Sequence, residues 1–395
     1  MQVPFLDLKA QFRTIKEEII DKIKSILETQ RFALGPEVEA LEKEIASKCE
    51  VKEAIGVSSG TDALLVSLMA LGIKPGDEII TTPFTFFATA GVIARLQAKP
   101  VFCDIDPVTF NLDPEKLDHL LKKIYRKERK NKVKGIIPVH LYGQCADMDK
   151  IIDLAKSYGL FVLEDAAQAI SADYPSRKGP KKAGSMGLLG ILSFYPTKNL
   201  GGYGDGGMVL TNHKGLAEKI RQLRVHGETK RYYYRYIGGN FRLDALQAGV
   251  LRVKLPYLEL WQEKRRAVAS QYEVLFENSG LIDKKLVTLP QAVYKKSGLK
   301  NYHTYHQFVV RVKKRDQLQK FLKEKGIETA IFYPRPLHLQ RCFAYLGYQV
   351  GDLPNAEKAA REVLALPIYA ELSFEQQIYL VNCIKDFYQS RSFFD

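Results

Sequence analysis

The sequence predicts an α/β protein in which helices cover a mostly parallel sheet, followed by a smaller α+β domain. Strand-like runs alternate with helical periodicity through about the first 250 of the 395 residues. The strand-like runs are apolar without polar interruption, and the order of elements changes after Pro256. We therefore predict a large domain over residues 1–255 and a small domain over residues 256–395.

The elements of the first domain follow from these patterns. Strands are predicted at residues 53–57, 78–81, 100–103, 134–139 and 160–163, and helices at 62–71 and 148–158. The strand at 160–163 is continuously apolar and ends in Glu164 and Asp165. Strands that are apolar on both faces indicate a parallel sheet buried between helices.

The C-terminal part has a different order of elements. A helical stretch over residues 243–278 is interrupted by Pro256, which predicts a break because proline lacks an amide hydrogen. Beyond it we predict a strand at 305–312, a helix at 315–325, a strand at 327–333 and helices at 355–365 and 373–386. This order is typical of a small α+β domain.

The chain has a formal net charge of +14, and two runs are especially basic, residues 122–134 (KKIYRKERKNKVK) and 177–182 (RKGPKK). One interpretation is attraction to a polyanion or an acidic membrane surface; the other, which base rates favour, is a solvated, lysine-rich surface. Neither run has a zinc finger or interleaved aromatic motif, so we predict no nucleic-acid partner. The charge would also suit a substrate with a diphosphate.

Cysteine and histidine usage limits the compartment and the chemistry. The five cysteines form no C-x-x-C pair, which predicts reduced thiols and neither a disulfide framework nor a zinc site. His303 and His306 have H-x-x-H spacing without further ligands, so we place them in a strand and expect no metal. We expect a cytoplasmic protein, because the sequence has no apolar stretch of membrane-spanning length and no secretory signal pattern.

Polar groups suited to ligand binding follow two predicted strands, at the edge where parallel sheets hold ligands. The segment 58–62 (SSGTD) either holds a phosphate on a helix N-terminus or simply caps that helix. Asp165 ends the strand that contains FVLE and either faces a ligand or caps the next helix. The residues alone leave both pairs of alternatives open.

Lys198 lies between an apolar strand (GLLGILSF) and a glycine-rich turn (GGYGDGG). A lysine that is partly removed from water loses its proton more easily and can form a Schiff base. The turn contains a G-x-G-x-x-G match, at Gly202, Gly204 and Gly207, but it does not open a helix, so we reject a dinucleotide-binding motif. The glycines are expected to permit tight turns.

In this order, the motifs of the chain resemble the DegT/DnrJ/EryC1/StrS family of sugar aminotransferases, which have the type I (aspartate aminotransferase-like) fold. The matching segments are PFLDLKAQF, LGPEVEALEKE, SSGTDAL, PGDEIITTPFTF, VHLYGQCADMD, EDAAQA, SFYPTKNLGGYGDGG, LRVHG, GNFRLDALQA and YPRPLHLQ. The resemblance implies pyridoxal 5'-phosphate (PLP) as cofactor. Some relatives that dehydrate sugars have histidine at the position of Lys198, so the lysine favours transamination.

The resemblance also implies roles for individual residues. Lys198 would form the Schiff base and move the proton, Asp165 would pair with the pyridine nitrogen, and Gln168 would contact the ring hydroxyl. The other expected cofactor contacts are the phosphate ligands Gly60, Thr61 and Ser193, the stacking residue Phe86, and Asn240 from a neighbouring subunit. The contact from Asn240 implies a homodimer with shared active sites.

The substrate implied by the resemblance is a nucleotide-linked keto sugar, with glutamate as amino donor and Tyr195, Arg242 and His306 as sugar contacts. YHQF, RPLHLQ and SFYPTKNLGGYGDGG resemble members that aminate C3 of a UDP-linked uronate or a dTDP-linked 6-deoxyhexose in polysaccharide (O-antigen) or other glycan biosynthesis. SSGTDALLVSLMALGIKPGDEIITTPFTF and HLYGQCADMD favour UDP. Amination at C4, and a PLP-binding regulator without catalysis, stay open as alternatives.

Overall fold

The structure, a computed structural model, describes residues 1–126 and 132–389. Its α-helices are α1 (Leu8–Thr14), α2 (Lys16–Thr29), α3 (Pro36–Lys48), α4 (Gly60–Ala70), α5 (Ala88–Arg95), α6 (Pro114–Arg126), α7 (Met148–Ser157), α8 (Lys214–Leu223), α9 (Ala245–Lys254), α10 (Leu258–Ser279), α11 (Arg315–Glu324), α12 (Pro354–Glu362) and α13 (Phe374–Gln389). Its strands are β1 (Glu53–Val57), β2 (Glu78–Thr81), β3 (Lys99–Phe102), β4 (Val133–Ile137), β5 (Phe161–Asp165), β6 (Asp173–Tyr174), β7 (Lys181–Lys182), β8 (Leu189–Ser193), β9 (Gly207–Thr211), β10 (Glu228–Lys230), β11 (Tyr233–Tyr234), β12 (Val287–Thr288), β13 (Phe308–Val312) and β14 (Val363–Leu366).

The central sheet has seven strands in the order β1-β9-β8-β5-β4-β2-β3. β9 pairs antiparallel with β1 and β8, and the other neighbouring pairs are parallel. The predicted mostly parallel sheet is therefore confirmed, with β9 as a reversed strand that was not predicted. Because β1, β5 and β8 run the same way, their carboxyl ends meet at one edge of the sheet, where ligands of α/β proteins bind.

Helices bury both faces of this sheet. Met208 and Leu210 of β9 pack in one hydrophobic cluster, with residues of α3, α7 and α9, whereas the intervening Val209 packs in another, with residues of α4 and α8. Alternate side chains of a strand point to opposite faces, so one strand contributes to both cores. This arrangement explains why the strands of the sheet are mostly apolar, with the exposed Lys134 of β4 as an exception.

The small domain is built on an antiparallel sheet in the order β12-β13-β14, packed against α10, α11 and α13. The break predicted at Pro256 is confirmed, since a 3-10 turn, Leu255–Tyr257, separates α9 from α10. The domain boundary at residue 255 stays a prediction. One hydrophobic cluster joins Phe84 and Ile105 to Val309 and Ala356, and so ties the small sheet to the large one.

Three predictions in this region are wrong. Residues 327–333 form isolated bridges, from Ile327 to Val3 and from Ala330 to Ala365, instead of a strand. The helix predicted at 355–365 ends at Glu362, and β14 follows it, because β13 offers backbone partners there. His303 and His306 were placed in a strand, but both precede β13. The backbone N–H groups of Thr304 and Gln307 in their segment donate hydrogen bonds to the turn at residues 142–143.

Four basic residues of these runs pair with acidic residues in the described part of the chain. Ion pairs join Lys122 to Asp118, Lys134 to Asp77, Arg177 to Asp149 and Asp153, and Lys182 to Asp173. These pairs favour the solvated-surface interpretation; residues 127–131 of the first run lie outside the described residues. Within the described ranges, no helix is long and apolar enough to cross a membrane. The same part of the chain contains no cluster of three or more metal-ligand side chains, and the five cysteines are free.

Candidate active site

A cavity of about 800 Å³ opens at the carboxyl edge of the central sheet. The predicted site residues that line it are Gly60, Thr61, Phe86, Asp165, Gln168, Ser193, Tyr195, Lys198 and His306. Residues 331–335 of the small domain also line it. The structure therefore brings together residues from both parts of the chain around one space.

The N-terminus of α4 forms one end of the cavity. Ser59 caps the helix by accepting a hydrogen bond from the backbone of Asp62, so this segment is a helix cap and a cavity wall at once. The first-turn N–H groups of Gly60 and Thr61 have no acceptor within the helix. A side chain on Gly60 would come within 2.7 Å of Ser193, so only glycine lets the helix approach β8 this closely. Backbone amides and hydroxyls at a helix N-terminus suit a phosphate group.

Asp165 is buried at the end of β5 and lines the middle of the site. Its Oδ2 accepts a hydrogen bond from Thr89 (2.8 Å), and its Oδ1 accepts one from the backbone of Ala167 (3.2 Å). Burial raises the pKa of Asp165, while these bonds and the charge of Lys198 act in the opposite direction. Because turns and not a helix follow Asp165, the alternative role as a helix cap is excluded. A buried carboxylate here suits a cationic ring nitrogen.

Lys198 follows β8 and is half-buried in the cavity wall. Burial lowers the pKa of its amine to about 8, and the negative charge of Asp165 opposes this shift. Lys198 is thus partly removed from water. At pH 7 about one amine in ten is then neutral, against about one in three thousand for an ordinary lysine, and only the neutral amine is a nucleophile.

Gln168 is held in one orientation by two partners. Its Oε1 accepts from the backbone of Tyr142 (2.7 Å), and its Nε2 donates to the hydroxyl of Tyr333 (3.2 Å). Burial raises the pKa of Tyr333, which also lines the cavity and stays protonated at neutral pH. Gln168 and Tyr333 therefore form a fixed polar pair in the wall.

Three aromatic side chains that line the cavity are exposed, Phe86, Phe87 and Tyr195. Phe86 is 59% exposed and Tyr195 is 52% exposed, although both line the space. Phe87 is 48% exposed and also lines the cavity, but its ring packs against Phe343 with their ring centroids 5.7 Å apart. An exposed ring beside a polar cleft offers a face on which a flat ligand can stack.

Asn240 and Arg242 are not brought into the cavity of their own chain. Asn240 is exposed and accepts a hydrogen bond from Nε of Arg242 (2.9 Å). The intervening Phe241 accepts a backbone bond from Ser58, so the pair lies outside the α4 end of the site.

Sequence reasoning missed several residues that support the site. Thr89, Asn199, Tyr333 and Lys254 were not singled out, although each contacts a site residue or its loop. The sequence could have indicated that Lys254 is buried, because Lys254 shares the apolar face of α9 with Val250 and Leu251. Its Nζ donates to the backbone oxygen of Gly201 (2.8 Å), in the turn that follows Lys198.

Comparison with proteins of known sequence relates the chain to aminotransferases over nearly its whole length. It is 50% identical to a pleiotropic regulatory protein of Geobacillus stearothermophilus, over 98% of this chain and 99% of the relative. It is 41% identical to the UDP-2-acetamido-2-deoxy-3-oxo-D-glucuronate aminotransferase of Pseudomonas aeruginosa (94% and 96% covered). It is 39% identical to the dTDP-3-amino-3,4,6-trideoxy-alpha-D-glucose transaminase of Streptomyces venezuelae (98% and 96%).

Solved structures give the same result. The structure of S. venezuelae DesV in complex with a ketimine intermediate matches with a TM-score of 0.88 and 38% identity, over 98% of this chain and 99% of that one. The ntda protein of Bacillus subtilis with bound cofactor PMP matches with a TM-score of 0.85 and 30% identity (98% and 85%). A model of the DegT/DnrJ/EryC1/StrS aminotransferase family matches residues 13–385. The predicted fold, enzyme class and cofactor are confirmed: the chain belongs to the DegT/DnrJ/EryC1/StrS family of PLP-dependent aminotransferases.

Proposed function

We propose that this enzyme converts the ketone at C3 of a nucleotide-linked sugar into an amine, with glutamate as the donor. The observation that carries the proposal is the single cavity in which Lys198, Asp165 and the α4 N-terminus meet. Relatives 41% and 39% identical are named as aminotransferases of a UDP-linked 3-oxo sugar and a dTDP-linked 3-amino sugar. The net charge of +14 suits a substrate with a diphosphate.

The donor set of the cavity fits PLP. The phosphate would bind to the first turn of α4 and to the Ser193 hydroxyl, and the ring would stack on Phe86. Asp165 would pair with the ring nitrogen, and Gln168 would contact the ring hydroxyl. When bound, PLP supplies an electron sink for the substrate carbon that exchanges its proton.

Lys198 would perform the proton transfer. Its neutral amine would first hold the cofactor covalently and, once released by the incoming amino group, would take a proton from one carbon and return it to another. A pKa of about 8 places this amine close to neutral pH, where a group can both accept and donate a proton. Tyr195 and His306, which also line the cavity, would bind the sugar.

Asn240 and Arg242 are proposed to serve the site of a second subunit, which would make the active enzyme a homodimer. They lie outside the cavity of their own chain, beside the hairpin β10–β11. The exposed hydrophobic residues there are Tyr232, Tyr233, Tyr234 and Ile237, and Ile237 is 94% exposed. Exposed aromatic residues in one segment are typical of interaction surfaces.

Mixing two inactive variants tests this arrangement. If Asn240 acts across the dimer, mixed dimers of Lys198→Ala and Asn240→Ala chains hold one site with both substitutions and one with neither. Activity should then reappear after subunit exchange. If exchange is demonstrated and no activity returns, Asn240 belongs to its own chain's site or to none.

The reaction in reverse tests the substrate. Purified enzyme receives 3-amino and 4-amino sugars, each on UDP and on dTDP, with 2-oxoglutarate, and glutamate release is followed. We expect 3-amino sugars to be preferred, and UDP over dTDP. Preference for a 4-amino sugar would contradict the position of amination, and preference for dTDP would assign the 6-deoxyhexose branch. The expected biological role is the synthesis of a polysaccharide or other glycan, in the cytoplasm.

A second candidate is a regulator that binds PLP without catalysis. The observation that favours it is the name of the relative at 50% identity, a pleiotropic regulatory protein. The presence of Lys198, Asp165 and Gln168 in one cavity favours the enzyme. Turnover separates the two, because a regulator would bind PLP but release no glutamate in the reverse assay.

A further inference from the structure

His306 lies in the cavity wall, and its two ring nitrogens face different partners. Nδ1 lies 3.0 Å from Oδ1 of Asn199, and Nε2 lies 3.5 Å from the amide nitrogen of Gln307. His306 and Asn199 are both buried. The proton of a buried imidazole is placed by the polarity of such neighbours.

The polarity of Asn199 is fixed at its other end. Its Nδ2 donates to the backbone oxygen of Thr304, 3.0 Å away. A carbonyl oxygen can only accept, so the NH₂ group faces Thr304 and the amide oxygen faces His306. The reversed amide would set two buried acceptors against each other, which costs about 1–3 kcal/mol. Nδ1 of His306 therefore carries the proton.

The imidazole of His306 is also neutral. Burial lowers the pKa of His306 well below its ordinary value, and the charges of Lys198 after β8 and Arg265 on α10 lower it further. A neutral ring with its proton on Nδ1 has a lone pair on Nε2 and is a hydrogen-bond acceptor there. The amide of Gln307, which lines the same cavity, lies 3.5 Å from that lone pair, at the outer limit of a hydrogen bond, so a better-placed donor can take the lone pair instead.

Resting on the proposed function, we propose that Asn199 is a positioning residue that fixes the Nδ1-protonated form of His306, whose Nε2 then accepts a hydrogen bond from a sugar hydroxyl. A diphosphate and a uronate carboxylate present only acceptors at neutral pH, so the Nε2 lone pair repels them. Asn199 thereby determines that this wall receives the hydroxyl-bearing part of the sugar. Anionic groups of the substrate bind elsewhere.

Nitrogen-15 NMR of histidine-labelled holoenzyme, without substrate, tests the tautomer. His306→Gln identifies the His306 signals by their loss. We expect His306 to be protonated on Nδ1, unprotonated on Nε2 and without titration from about pH 6 to about pH 9. Asn199→Asp keeps an acceptor but adds a negative charge, so His306 should retain this tautomer and gain a second proton on acidification. Asn199→Leu removes the acceptor, and the proton should redistribute to Nε2.

Kinetics of the two half-reactions test the substrate contact. Asn199→Leu should raise KM for the nucleotide sugar about three- to tenfold, the effect of one neutral hydrogen bond. The half-reaction with the amino donor should change by less than about twofold, because that substrate carries no sugar hydroxyl. An unchanged KM for the sugar overturns the proposed contact with the hydroxyl.

The remaining outcomes are also decisive. A wild-type His306 protonated on Nε2, or a tautomer that Asn199→Leu leaves unchanged, overturns the role of Asn199. If Asn199→Leu loses bound cofactor and fold, the Asn199→Asp variant decides, and the absence of a new His306 titration contradicts the proposal. Because the NMR measurement uses no sugar, its failure is distinct from a failure of the proposed function, which the reverse assay measures.

Discussion

Replacing Thr89 by valine should weaken cofactor binding, because the Thr89 hydroxyl stabilises the charge of Asp165. Thr89 is fully buried on α5, and its Oγ1 donates to Oδ2 of Asp165 over 2.8 Å. Valine has nearly the same shape, so the substitution removes the hydroxyl and its hydrogen bond without opening a cavity. The carboxylate then loses one of its two protein donors while it stays buried.

The size of the effect follows from that bond. A hydrogen bond to a charged group contributes about 1.5–3 kcal/mol, which corresponds to about one to two pKa units. Burial already raises the pKa of Asp165, and loss of Thr89 should raise it further. Since an ionised Asp165 pairs with the protonated ring nitrogen, cofactor affinity should fall at every pH at which the free carboxyl is protonated, by at most about ten- to hundredfold. The pH below which affinity is lost should move upward.

Titration of apoenzyme with PLP, followed by absorbance across a range of pH, measures both effects. Thr89→Ser keeps the hydroxyl and is the matched control, which should bind PLP close to the parent value. Thr85→Val removes only a neutral bond to Thr89 (3.1 Å) and should have a smaller effect. If Thr89→Val binds PLP as tightly as the parent at every pH, the hydroxyl does not control the charge of Asp165.

Three further outcomes are expected. Borohydride should attach PLP covalently to Lys198, and peptide mapping would locate the label. A label on another lysine would contradict the assignment. The Lys198→Ala variant should bind PLP weakly and lose transamination by several orders of magnitude. Asp165→Asn should retain PLP but turn over much more slowly, because the ring nitrogen loses its stabilised proton. Near-normal turnover would exclude Asp165 as the partner of the ring nitrogen. Burial lowers the pKa of Lys254 from 10.5 to about 8, so the free energy of unfolding should rise as pH passes through that interval, by up to about 3 kcal/mol. Burial lowers the pKa of Lys198 to about the same value, so thermal melts of the apoenzyme should show this rise reduced but not abolished in Lys254→Met. An unchanged rise would assign it to other groups.

Six of the seven strands of the large sheet, all but β9, were predictable because burial on both faces requires continuous apolar runs, as in β5. The small domain was harder to predict, since its sheet depends on partners distant in the chain. Val363–Leu366 directly follows a helix, and its apolar residues fit either structure; pairing of Leu366 with Phe308 decides for a strand. Local periodicity carries no information about that partner.

In the site, too, residues that follow from a local pattern were predictable, and residues whose role depends on distant partners were not. Lys198 and Asp165 were predictable because each follows an apolar strand, at the edge where parallel sheets bind ligands. Thr89 and Asn199 are ordinary polar residues by sequence, and their roles come from partners 76 and 105 positions away, Asp165 and Thr304. Such partners become visible only once the chain is folded.

Burial shifts the pKa values of Lys198 and Asp165 in opposite directions, and both shifts suit the same ligand. The amine of Lys198 has a pKa of about 8, and the pKa of the Asp165 carboxyl is raised; the charge of each opposes the shift of the other. A cationic ring nitrogen beside Asp165 would restore the ionised carboxylate, because it replaces the solvation that burial removed. A covalent bond to the cofactor would remove the charge of Lys198, which burial disfavours. Cofactor binding would thus relieve both penalties, and the walls that make the free site unfavourable for charge are those that would make the loaded site stable.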